Sequence, residues 1–281
     1  MDCSRCYLRQ PDGSTECVRC GFIFVNADSY SDGENKIDRD SWISIAIGGS
    51  IAISVLSMPW LSFLFSPLVV LIHELGHSVT GWLFGYPSIP AFDFVYGGGV
   101  TINTARQTAL LALIYIIFFG LIYYCRKNRL TLSVLSCALL IYSICALTRL
   151  HEGLILFMGH GLELVIAGIF IYRGLSGSSI IHAVERPLYA FVGIFIVLHD
   201  LQFSYRLMTS ANYRIEYGEA KGGGDWMDFS RIANEFMNGR LVLVSFLFFI
   251  CCLLPLLLSF LAFRYQKPLG RLAARLLTKE E

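Results

Sequence analysis

Long apolar runs alternate with short polar breaks along most of this chain, and the alternation begins abruptly at Trp42. Just before it, residues 26–41 (NADSYSDGENKIDRDS) are polar and Asp-rich without hydrophobic periodicity, which reads as a linker. Residues 42–66 are apolar, with Gly48-Gly49 and Pro59, and predict one span kinked or broken near Met58-Pro59. Pro67 occupies a favoured first helical position and opens a second span that ends near Gly85. Residues 86–107 hold too many polar, Gly and Pro positions for a spanning helix. Their short β-favouring runs around Gly97-Gly98-Gly99 predict an extended loop or hairpin. Further apolar runs lie at about 108–125, 130–149, 152–173, 187–208 and 241–263, separated by a polar loop over 209–240. The tail, 264–281, is a short basic amphipathic segment, either solvated or lying on a membrane surface.

The expected fold is an all-α polytopic membrane protein of about seven transmembrane helices over residues 42–263, with no internal repeat. Composition agrees, since 55% of the 281 residues are hydrophobic and only 15% charged, against about a quarter charged in soluble domains. A net charge of +1 removes any general basic character, so no nucleic-acid partner is expected. The N-terminus (MDCSRCYLRQ) lacks a basic region followed by an apolar one, so no cleaved signal peptide is expected. Charge sets no orientation by itself. With the N-terminus inside, alternate loops carry similar Lys and Arg numbers, and Arg126-Lys127-Asn128-Arg129 falls outside, against the usual bias. Were 42–58 re-entrant, that loop would return inside.

Nine cysteines fall into two groups. Five lie in apolar runs, where free Cys behaves as a small hydrophobe. Cys3, Cys6, Cys17 and Cys20 form two C-x2-C pairs, the spacing of a zinc ribbon over residues 1–25 with four thiolate ligands. So short a segment cannot bury a core, and the zinc would supply its folding free energy. Such a ribbon is structural or docks a protein partner, and its reduced thiolates place it on the cytoplasmic side.

The chemistry concentrates at His73-Glu74-Leu75-Gly76-His77 in the second span. Histidines four apart share one helix face, where they can bind zinc while the adjacent carboxylate acts as base on its water. His73 is six residues past Pro67, about 9 Å along the helix, so these polar groups lie well below the interface. Ionisable groups at that depth are costly and mark a functional site. A catalytic zinc needs a third protein ligand. His160, flanked by Gly159 and Gly161, is the preferred one, with Glu163 either replacing it or bonding its other ring nitrogen. His199-Asp200 ranks next, His151 is expected at a span edge among headgroups and water, and His182 in a connecting segment.

At these residues the chain resembles the site-2 protease-like intramembrane zinc metalloproteases, especially the shorter members. The match is His73-Glu74-Leu75-Gly76-His77 with Ser78-Val79-Thr80-Gly81-Trp82-Leu83-Phe84-Gly85 after it, then Gly97-Gly98-Gly99-Val100-Thr101. The resemblance implies that His73 and His77 bind zinc, that Glu74 is the catalytic base, and that 86–107 is a membrane-associated hairpin guiding an extended substrate. It implies hydrolysis of peptide bonds in or near membrane segments of protein substrates. The family generally takes its third ligand from an Asp in an N-P-x-x-D-G motif on a later helix. That motif is absent here, and His160 or Glu163 is expected in its place. Two other readings stay open: a di-iron membrane oxidase or hydroxylase using His160, Glu163, His199 and Asp200, and a protease-like metal-binding scaffold that recruits a partner through its ribbon.

Overall fold

A computed structural model of the chain describes residues 37–93, 98–178, 180–224 and 226–277. The chain divides into two units, Met1–Lys36 and Ile37–Glu281. Cys3, Cys6, Cys17 and Cys20, and with them the expected ribbon and most of the linker, lie outside the described residues.

The second unit is mostly helical. Helices α1 (Arg39–Ser57) and α2 (Pro59–Leu83) precede a hairpin of β1 (Ser88–Phe92) and β2 (Gly99–Asn103). Then follow α3 (Thr108–Tyr124), α4 (Arg129–Leu147), α5 (Leu150–Ser176) and α6 (Glu185–Thr209). Two short helices, α7 (Ala211–Glu219) and α8 (Asp228–Phe236), lead to α9 (Leu241–Cys251), α10 (Leu254–Arg264) and α11 (Gln266–Leu277). Among the described residues, six stretches are long and apolar enough to cross a bilayer: α1, α2, α4, α5, α6, and α9 with α10 taken together. The chain is therefore of the multi-pass membrane type. The seventh expected span, α3, is equally apolar but has only 17 residues.

Local chemistry sets the boundaries. Asp38 caps α1 by accepting from the Ser41 backbone N–H at 2.7 Å, so Arg39–Ser41 belong to the helix and not to the expected linker. The chain breaks at Met58, which is extended, and Pro59 opens α2. Pro67, expected to begin the second span, lies inside α2 instead, because the interruption at Met58 already supplies the break. Asn128 caps α4 through Thr131, and Gly177 at φ 63° closes α5 in the left-handed region.

α5 and α6 form the centre, with α1 and α2 against them around Ala52, Val69, Ala167, Ile171, Phe191 and Phe195. α2 and α5 run antiparallel: His73 meets Glu163, while His77 meets Ile155. Ser41, by contrast, donates to the Leu175 carbonyl at the far end of α5. Between Ser41 and His77 two apolar helices thus advance the chain along α5 only once. This places the α3–α4 turn at the same end as the start of α1, the arrangement anticipated for a re-entrant 42–58 segment.

The hairpin is antiparallel, pairing Ser88 with Asn103 and Phe92 with Gly99, which agrees with the extended reading of 86–107. It is tied to α2 by Trp82, whose indole N–H donates to the Ser88 carbonyl at 2.8 Å.

Candidate metal centre

α2 turns a stripe of Glu74, Gly76, His77, Thr80 and Gly81 inward, with His73 half-buried beside it. Each imidazole is held through its Nδ1. His77 Nδ1–H donates to the Ile155 carbonyl at 2.7 Å, and His73 Nδ1–H to Glu163 Oε1 at 3.0 Å. A carbonyl and a carboxylate accept only, so as neutral rings both would present unprotonated Nε2 atoms to the same gap. Those two nitrogens are 3.0 Å apart. The third atom facing them is Asp228 Oδ2, at 2.9 Å from His73 Nε2 and 3.0 Å from His77 Nε2. In that state three electron-pair donors would face one another, an arrangement that a cation satisfies. Zinc binds such N and O donors at about 2.0–2.2 Å, which a triangle of this size accommodates. The chain thus carries a His/His/Asp group fit for a metal ion.

Close helix packing makes the gap. A Cβ on Gly159 of α5 would come within 2.5 Å of His77 Nε2 and 2.6 Å of His73 Nε2, so only glycine leaves both lone pairs open. One turn along the same contact, a Cβ on Gly76 would meet the Met158 carbonyl oxygen at 1.9 Å.

The expected third ligands, His160 and Glu163, group with His73 but not with His77. Glu163, 1% exposed, lies between two imidazoles: Oε1 accepts from His73, and Oε2 accepts from His160 Nδ1–H at 2.8 Å. Of the two roles considered for Glu163, the geometry is that of a carboxylate bonding the other nitrogen of a ligand. His160 is turned to Glu163 and packed among Phe203, Phe229 and Phe248, and it does not face His77. His73, His160 and Glu163 still form a second cluster of metal-binding types. Asp200 is fully buried behind it, 3.9 Å from His160 and 3.6 Å from His199. His151 lies away from the centre and is buried, bonded to Tyr86 and Thr148 instead of meeting headgroups. His182 is exposed in the α5–α6 connection.

Asp228 sits in the segment read as a polar loop. Its carrier, α8, has Phe229, Ile232, Ala233 and Phe236 at one-face spacing, a signal masked by the Gly-rich stretch before it. Phe229 and Ala233, each 1% exposed, anchor α8 against Leu207, Tyr217, Val244 and Phe248. Tyr217 OH accepts from the Phe229 backbone N–H at 3.2 Å, so Asp228 is delivered by a packed helix start.

Glu74 points away from Glu163, toward the hairpin. Its Oε2 accepts from Thr101 Oγ1–H at 2.6 Å. Gly99 lies against it so closely that a Cβ there would meet Glu74 Oε1 at 2.5 Å. Lys221, at φ 57° in the turn after α7, donates from Nζ to the Gly99 carbonyl at 2.6 Å and ties α7–α8 to the hairpin. The Glu74 carboxylate and the triangle thus flank the start of β2 on adjoining positions of α2. No protein-family model, curated protein or solved structure matches the chain.

Proposed function

We propose that the chain is an intramembrane zinc metalloprotease of the site-2 protease-like kind. The observation carrying this reading is the triangle of His73, His77 and Asp228, with Glu74 on the adjoining position of the same helix. His73, His77 and Asp228 would hold the zinc. When bound, it supplies Lewis acidity, making water a usable nucleophile near neutral pH and polarising the scissile carbonyl.

The protein side supplies the rest. Glu74 takes the proton of the attacking water and returns it to the leaving amine. Thr101 fixes the carboxylate that does so, while Glu163 and the Ile155 carbonyl fix the two rings. A helical amide is hydrogen-bonded and sterically covered, so a membrane substrate must unwind before cleavage. The hairpin beside Glu74 offers backbone against which an extended segment can lie. In this reading the four-cysteine ribbon holds a second, structural zinc and recruits a protein partner from the cytoplasmic side.

Reconstituted protein should cleave a single-span substrate segment, and Glu74→Gln should abolish cleavage while retaining metal. Cleavage by a metal-loaded Glu74→Gln protein would overturn the assignment. The cluster of His73, His160 and Glu163 favours a second reading, a dinuclear oxidase site. Two irons per chain in place of zinc would select it.

A further inference from the structure

One end of the bundle gathers basic side chains from segments far apart in sequence. At its start, α11 accepts a hydrogen bond at Gln266 Oε1 from Tyr172 OH, near the end of α5, at 3.3 Å. At its finish, Asn128 Nδ2–H donates to the Arg275 carbonyl and Thr131 Oγ1–H to the Leu276 carbonyl, both at 2.6 Å. A helix of 12 residues is about 18 Å long. Pinned to α5 at one end and α4 at the other, α11 crosses the end of the bundle instead of prolonging α10.

Its two faces differ. Lys267, Arg271 and Arg275 recur every fourth residue, and Leu269, Leu272 and Leu276 take the opposite side. Leu269 and Ala273 line an apolar groove with α5 and α10. Leu269 and Leu272 nevertheless remain 47% exposed. The turn whose Asn128 holds α11 also carries Arg126, Lys127 and Arg129, all exposed.

We propose that this surface binds the anionic glycerophospholipid headgroups of one leaflet. α11 lies in the interface with its leucines at the acyl boundary, while its basic row and the 126–129 turn contact the headgroups. The same charge bias makes this the cytosolic end of the bundle. The inference stands apart from the metal centre.

The test uses the full chain in nanodiscs of phosphatidylcholine alone or with about a quarter phosphatidylserine. Amide exchange over 266–277 should be slower with phosphatidylserine, and native mass spectrometry should show that lipid retained preferentially. Removing Arg126, Lys127, Arg129, Arg271 and Arg275 as Gln should cut the preference by about fivefold per charge. Leu269→Ser with Leu272→Ser should speed exchange in both lipids and leave the preference intact. Equal protection and equal retention in the two nanodiscs would overturn the proposal. So would protection that follows added soluble polyglutamate and ignores the lipid, which would assign the surface to an acidic protein.

Discussion

Asp228 Oδ2 lies 2.9 Å from His73 Nε2, although 155 positions of chain separate them. A carboxylate at the start of a nine-residue helix thereby completes a site begun on α2. Asp228→Asn should lower the metal content of the full chain by one equivalent relative to the parent, and cleavage with it. His160→Ala should retain that metal, because His160 contributes no atom to the triangle of His73, His77 and Asp228. Elemental analysis of the two purified variants decides between them.

Glu163→Gln leaves one acceptor oxygen for the two N–H groups of His73 and His160, while every triangle atom stays present. Support of this type is worth about 10–100-fold in metal affinity. Glu163→Gln should therefore weaken zinc binding by that order, measured by competition with a chromophoric chelator, and Glu163→Asp should recover part of it.

Thr101→Val keeps the shape of β2 but leaves Glu74 Oε2 without its donor. Metal content should stay constant while the cleavage rate falls by about tenfold or more. Thr101→Ser should restore most of the rate. A fall in metal content in Thr101→Val would contradict the separation of the two roles.

Phe229→Ala empties the contact with His160, Phe203 and Phe248 that anchors α8. A loss of about 3–5 kcal/mol is expected from the cavity. Metal affinity should fall further than in Phe229→Leu, since Asp228 is the next residue. Thermal unfolding in detergent with and without added zinc separates the two effects.

The hydroxyl and backbone N–H of Ser41, aided by Arg186, hold the Asp38 carboxyl below its ordinary range. A depressed carboxyl stabilises the fold above its unfolded value, about 4, and that contribution fades as the pH falls through the lower folded value. Asp38→Ala should therefore cost about 1 kcal/mol at pH 7, mostly as a lost helix cap. The cost should shrink near pH 3. The side chain is 60% exposed, so little of it is electrostatic.

The apolar runs made the membrane helices legible, because burial in lipid demands continuous apolar sequence whatever the tertiary contacts. His73, Glu74 and His77 were legible because a helix places them by spacing alone. Asp228 was not, since its position depends on Phe229 finding a pocket built by α5, α6 and α9. Glu163 was recognised as a neighbour of the centre, but its role turns on which way two imidazoles rotate. Of the kink or break expected near Met58-Pro59 the structure has the break, and Pro67 lies inside α2. The four-cysteine pattern falls outside the described residues.

α3 has 17 residues and no buried side chain, and it follows β2 after only four residues. It measures about 25 Å, against about 30 Å of average hydrocarbon. If α3 crosses as the seventh span, a bilayer would meet so short a helix by thinning around it, at fractions of a kcal/mol per Å. That thinning would bring the water–lipid boundary inward beside the strand that holds Glu74. Bilayer thickness would then act on the site itself: short-chain lipids would relieve the mismatch at α3, and long-chain lipids would increase it.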